Sequence, residues 1–441
     1  MGSAFSQTPN AGAPARLLVS PDHRYLMREG GEPFFYLADT AWELFHRLTF
    51  EEADEFLRAR ANQGFNALQV MVLEEHDGLD VPSVNGHTAL HDRDPARPNE
   101  AYFAHIDRVV ARANQLGLVI AMLPTWGDKW NKKWGKGPEI FTPENARVYC
   151  KWLAARYRAA DIIWVLGGDR PVESDAHRAI MRAMADGLRE GDGGIHLITF
   201  HPTGGQRSSQ YFHAEPWLDF NMAQTGHGRN SPNYRVIEAD RALTPPKPCL
   251  DGEPGYEAHF AGFNLVNGYL NDYDARRAAW WAVLSGAAGH TYGCHAVWQF
   301  YDARRDPVNF PYQTWREALL LPGAAQMRHV KDLLLGLPYF TRRPAPELLI
   351  NIPKEDHRHP VAATDATPGQ SDATFIVAYS PYADVPLTLN LTVLKNPTPS
   401  AIWYDPRTGR RHDPIPVQRT PSQTLRPPAR ISALDWVVLV Q

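Results

Sequence analysis

The sequence predicts an α/β fold, a (β/α)8 TIM barrel followed by a small all-β sandwich, on three observations. From Phe34 to about Trp298, short apolar runs alternate with longer amphipathic stretches. Strand-then-helix repetition means parallel strands joined by right-handed crossovers, and eight such units in roughly 250 residues is the complement of a closed barrel. After about Arg342 helical periodicity fades, and short strands of alternating apolar and polar residues, separated by Pro- and Gly-containing turns, take over. An open doubly wound sheet is disfavoured because the first strand, FFYLADTAW, leads into no glycine-rich phosphate loop. The expected organisation is a flexible segment over 1–16, a barrel over 17–342 and a sandwich over 343–441.

In order along the chain, the candidate barrel strands are FFYLAD, FNALQVMVL, LVIAMLPTW, IIWVLGGD, LITFHP, FNMAQTGH, KPCLDGEP and HTYGCHAVW. Between them lie helical patterns: TFEEADEFLRARANQ, AYFAHIDRVVARANQLG, TPENARVYCKWLAARYRA, SDAHRAIMRAMADGLREG and DYDARRAAWWAVLSGAAG. Thr49 with Glu52 fits a capping box, and Thr142-Pro143 fits an N-cap followed by Pro at the first helical position. Gly64 and Gly117 stop their helices just before the next strand. The C-terminal strands read ELLINI, ATFIVAYS, PLTLNLTVL, AIWYD and DWVVLVQ.

Composition narrows the function classes. The 441 residues carry 45 Lys+Arg against 49 Asp+Glu, so no basic field argues for nucleic acid. No apolar run approaches the length of a membrane span, so no membrane insertion is expected. The N-terminus MGSAFSQTPNAGAPARLLVS lacks the apolar stretch of an export signal, as expected of a cytoplasmic chain or of one whose signal has been removed. Cys150, Cys249 and Cys294 are far apart and show no zinc spacing, which makes them buried thiols acting as small hydrophobes.

A barrel of this type places its site at the C-terminal ends of the strands. The strand ends supply Asp39 and Trp42, then Glu74, Glu75 and Asp77, then Trp126, Asp128 and Lys129. Next come Asp169 and Arg170, His201, Gln224 and His227, Asp251 and Glu253, and finally Tyr292, His295 and Trp298. Asp169 ends the fourth strand on a glycine hinge and Glu253 ends the seventh, on opposite sides of the mouth. A lone acid would more simply pair with a base or cap a helix. Two facing acids are what glycosidic cleavage needs, one protonating the departing oxygen while the other attacks the anomeric carbon or activates water.

The loop TWGDKWNKKWG holds Trp126, Trp130 and Trp134, and indoles stack on sugar faces while keeping an N–H for a hydroxyl. Trp126, at the strand end, is the better candidate; the other two fit a loop pinned by its own aromatics equally well. Lys129, Lys132, Lys133 and Lys136 give the loop a positive potential that suits an acidic polysaccharide, although a solvated charged loop is the simpler reading. No H-x-H stands on the first strand and no H-E-x-x-H occurs, so His76, His201, His227, His290 and His295 are expected to hydrogen-bond substrate or carboxylates, with no metal and no cofactor.

Taken together, PFFYLADTAWELFHRLTFEEADEFLRARANQGFN, PTWGDKWNKKWGKGPEIFTPENA, IIWVLGGDRPVE, DGEPGYE and GHTYGCHAVWQ resemble glycoside hydrolase family 140, the apiosidase-like enzymes. The resemblance runs from roughly Leu17 to the C-terminus and implies a barrel followed by a β-sandwich of the type labelled collagen-binding. It further implies exo-release of a branched pentose from plant pectic side chains, so the partner is a plant cell-wall oligosaccharide or polysaccharide. By motif, the catalytic aspartate corresponds to Asp169 in GGDRP and the glutamate to Glu253 in DGEP, and their places at the ends of the fourth and seventh strands assign them as general acid/base and nucleophile of a retaining enzyme. Asp39, Trp42, Glu74, Trp126, Asp128, Lys129, Arg170, His201, Gln224, His227, Tyr292 and Trp298 are expected to bind the substrate. The competing readings are a glycosidase for a different sugar, a non-catalytic carbohydrate-binding protein on a degenerate barrel, and a metal-dependent hydrolase.

Overall fold

A computed structural model describes residues 16–76, 78–428 and 434–441. Residues 1–15 of the segment expected to be flexible, and Asp77, lie outside the described residues. The barrel strands are β1 (Tyr36–Thr40), β2 (Ala67–Leu73), β3 (Val119–Thr125), β4 (Ile162–Gly167), β5 (Ile198–His201), β6 (Asn221–Gln224), β7 (Cys249–Asp251) and β8 (Gly289–Tyr292). They pair in parallel in chain order from β1 to β5 and from β6 to β8, and β8 closes onto β1 with Tyr292 opposite Asp39. At the seam between β5 and β6, Asp219 N–H donates to Ile198 O at 2.9 Å and the Thr199 hydroxyl donates to Phe220 O at 2.7 Å.

The helices that follow these strands are α1 (Phe50–Asn62), α2 (Glu100–Gln115), α3 (Pro143–Arg156), α4 (Asp175–Asp192), α5 (Ser209–Phe212), α6 (Asn233–Arg241), α7 (Asp272–Leu284) and α8 (Pro322–Leu335). The capping box at Thr49 and Glu52 forms as expected, and Thr142 caps α3 with Asn145 as its reciprocal partner. Gly64 and Gly117 follow α1 and α2 at φ +91° and +76°, conformations that cost an L side chain. Three helices carry no strong sequence signal. The first, α5, is a single turn, while α6 and α8 begin without a side-chain cap. The run HTYGCHAVW is not one strand: β8 stops at Tyr292, and His295–Trp298 form a helical turn.

Beyond the barrel an antiparallel six-stranded sheet packs against a three-stranded one. Its central strands Ile376–Ser380 and Trp436–Val440 are buried throughout, and the reason is periodicity. Val377, Tyr379, Val437 and Leu439 join the barrel's core, while Ile376, Ala378, Val438 and Val440 join the core of the sandwich. A strand buried on both faces reads as a continuous apolar run, so the alternation expected of these segments is lost. All three cysteines are buried and free, as expected. Among the described residues no helix is long and apolar enough to cross a membrane.

Candidate active site

The β4 terminus explains its own sequence. Gly167, Gly168 and Asp169 take φ values of +96°, +101° and +54° in succession. A Cβ on Gly167 would lie 2.2 Å from the His201 carbonyl oxygen, and one on Gly168 would lie 2.6 Å from Gly127 N. The glycines therefore let neighbouring strand ends close up, with Gly168 N–H donating to His201 O and Gly127 N–H donating to Gly168 O. The turn that results carries Asp169 into the barrel mouth in a left-handed conformation that Asp tolerates better than most residues.

Asp169 and Glu253 line one cavity of about 330 Å³. Trp42, Trp126 and Trp298 form an aromatic wall, and Gln224 and His227 add polar atoms to it. The two indoles of Trp42 and Trp126 meet at 5.0 Å between centroids and both pack on His201. Trp126 Nε1 is buried and has no hydrogen-bond partner among the described residues.

Environment separates the two carboxyls. Glu253 Oε2 lies 3.0 Å from His201 Nε2, and its Oε1 lies 3.3 Å from His227 Nε2. Burial alone would raise Glu253, but these contacts outweigh it and bring the carboxyl down to about 2. Tyr256 N–H donates to His227 Nδ1, so the other ring nitrogen carries the proton directed at Glu253. Asp169 is raised to about 6, first by burial and then by the negative charge of Glu253, against the opposing pull of Arg170. Arg170 is fully buried beneath the exposed Trp134 ring and divides its guanidinium between Asp169 and Glu75.

Seven expected binding residues do not line this cavity. Asp39 is fully buried and paired with Arg60 of α1 at 2.6 Å. Its register partner Tyr292 sits under the same guanidinium and donates to Glu257. Strand alternation turns both toward the helical layer. Asp128 and Lys129 neutralise each other at 2.7 Å, both inaccessible, and Asp128 also accepts from Gly137 N–H. Glu74 opens onto a neighbouring cavity beside His46. Arg170 and His201 act from behind the carboxylates they contact. Trp130 is packed, donating to Gly167 O, whereas Trp134 lines the cavity.

Thr203, Tyr256, His259, Phe263 and Asn309, none of them a residue expected from the strand ends, also line it. Four of these lie in loops just past a strand end already singled out, and EPGYEAHF does carry aromatic and imidazole groups within six residues of Glu253.

A family model described as "Apiosidase-like, catalytic domain" matches residues 20–341, and one described as "Putative collagen-binding domain of a collagenase" matches residues 344–441. No curated protein matches the chain. A solved glycoside hydrolase is 30% identical over 97% of this chain and 96% of its own, with a TM-score of 0.86. A glycoside hydrolase family 5 structure from Bacteroides vulgatus ATCC 8482 is 29% identical over 96% of this chain and 93% of its own, with a TM-score of 0.87. An alpha-amylase from Lactobacillus plantarum shares the fold, with a TM-score of 0.56 at 11% identity over 92% of this chain and 98% of its own. With the catalytic-domain model spanning most of the sequence, and a glycoside hydrolase similar across nearly all of it, the chain belongs to the apiosidase-like glycoside hydrolases.

Proposed function

We propose that this glycoside hydrolase releases a sugar from the non-reducing end of plant pectic side chains, with Asp169 as general acid/base and Glu253 as nucleophile of a retaining reaction. The observation that carries the assignment of roles is the split between the two carboxyls, one raised to about 6 and the other lowered to about 2 in the same cavity. Two acids whose surroundings push their pKa values apart divide into a proton donor and a permanent anion. In the first step Asp169 delivers its proton to the glycosidic oxygen as a Glu253 oxygen bonds to the anomeric carbon and the leaving group departs. In the second, Asp169 takes a proton from water, which attacks the same carbon and frees Glu253. The pectic substrate and the sugar released rest on membership of the apiosidase-like family.

Incubating wild type and Glu253→Ala with pectic oligosaccharides and aryl glycosides, and identifying products by chromatography, tests the reading. Wild type should release a single monosaccharide, and Glu253→Ala and Asp169→Ala should each lose several powers of ten in turnover. Near-normal hydrolysis by both variants would overturn the roles. Release of another sugar would move the substrate and leave the roles intact. The anomer first formed, read by proton NMR, tests retention.

A further inference from the structure

His259 lines the cavity beside His227 and is 2% exposed. Its ring is held on two faces, stacked on His227 at 4.4 Å and 24° and on Phe260 at 4.7 Å and 17°. His295 and Phe263 close its edges at 4.5 and 4.9 Å.

Backbone groups also fix the tautomers. His259 Nδ1 is 2.7 Å from the Phe260 carbonyl, which can only accept, so Nδ1 carries the proton. His295 Nε2 faces the Asn309 carbonyl at 2.7 Å and is likewise the protonated nitrogen, with Nδ1 accepting from Trp298 Nε1. His227 has its lone pair on Tyr256 N–H and its proton toward Glu253. Of the three rings, His259 alone has a nitrogen without a partner among the described residues, and that nitrogen, Nε2, carries a lone pair.

The geometry points to His259 as a specificity-determining residue: Nε2 accepts the proton of one sugar hydroxyl while Glu253 engages the anomeric carbon of the same ring. Burial, then the two flanking imidazoles, holds the ring down to about 2, so it stays neutral and offers an acceptor only. Trp126 Nε1 offers only a donor. The cavity thus distinguishes a hydroxyl from hydrogen, fluorine or carboxylate at the position facing His259, because the locked acceptor has no other partner when the hydroxyl is missing. This inference rests on Glu253 being the sugar-facing carboxylate.

Two measurements on the full chain test it. Imidazole 15N spectra should show His259 Nε2 unprotonated between pH 5 and 8; a protonated Nε2 overturns the proposal without any substrate. For turnover, the probe is the para-nitrophenyl glycoside cleaved fastest by wild type, together with its monodeoxy analogues. In wild type, removing one particular hydroxyl should lower kcat/KM roughly 10- to 100-fold. His259→Asn keeps an amide donor near Phe260 O and deletes the acceptor, so it should lose activity on the parent glycoside and show no further loss on that analogue. His259→Gln, which brings an amide oxygen toward the Nε2 position, should restore part of the discrimination. Equal deoxy penalties in wild type and His259→Asn at every hydroxyl would sink the idea. Failure of the nucleophile assignment shows separately, as turnover by Glu253→Ala.

Discussion

Asp169 and Glu253 carry the same functional group into one cavity and leave it in opposite protonation states near pH 5. Glu253 has two imidazole contacts to hold its charge, whereas Asp169 has burial and Glu253 itself against it. The kcat/KM profile should therefore fall as pH rises through about 6, where Asp169 loses its proton, with an acid limb toward about 2. Asp169→Asn should flatten the alkaline limb. Glu75 helps to set that limb, since its charge raises Asp169 and its pairing occupies Arg170. In Glu75→Gln the alkaline limb should move to lower pH as Arg170 turns to Asp169, whereas a purely structural loss would leave the limb in place. Linkage has the same sign. Because the folded Asp169 resists ionisation, wild-type stability declines as pH rises from about 4 through 6, and Asp169→Asn should be more stable than wild type above that window in thermal melts. Glu253 acts oppositely, its contribution being present above its ordinary range and lost as pH falls toward about 2. Away from the mouth, Arg60 neutralises Asp39 where neither meets solvent. Arg60→Met should cost about 3–5 kcal/mol in urea unfolding, because it leaves a buried carboxylate unpaired.

At the scale of elements, the strand ends do the positioning. The β4 hinge needs three consecutive residues at positive φ and strand ends in near contact. Gly167→Ala should destabilise the protein by more than about 1 kcal/mol, since its Cβ would collide with backbone. It should also lower kcat/KM about 100-fold by moving Asp169, with helix content by circular dichroism unchanged. The loop after β7 contributes more to the cavity than its strand does: Glu253 is followed by Tyr256, His259 and Phe263, all in the wall. Short β7 ends at Asp251, whose carboxylate is spent on Thr225 and Asn233, so it braces the loop and faces no ligand.

Over the whole molecule, the sandwich lends one face of its six-stranded sheet to the barrel's core and keeps a core of its own behind the other face. Trp280 of α7 stacks on Tyr379 at 14°, and Arg276 of the same helix grips Asp435 through two bonds of 2.9 and 2.7 Å, both side chains buried. Tyr379 donates to the same carboxylate. The central strands of the six-stranded sheet face the barrel on one side and the sandwich core on the other, so packing uses both faces. The two halves should unfold together, with loss of activity and loss of circular dichroism coinciding in urea. Asp435→Ala should lower stability by about 3–5 kcal/mol, because Arg276 would remain buried without its main partner. Two separated transitions would contradict that joint packing.

By itself the sequence determined the alternation of strands and helices, the capped helix starts at Thr49 and Thr142, and the two acids at facing strand ends. These are local signals, written in periodicity and in neighbours a few residues apart. The tertiary structure decided which strand-end residues meet the cavity. Asp39, Asp128 and Tyr292 occupy positions like those of Trp42 and Asp169, but Arg60 and Glu257 arrive from other segments to take up Asp39 and Tyr292, and Asp128 is buried against its own neighbour Lys129. It also decided the opposite charge states of Asp169 and Glu253, and it recruited His259. Electrostatics and burial depend on what arrives from distant segments, and no spacing within a single strand encodes that.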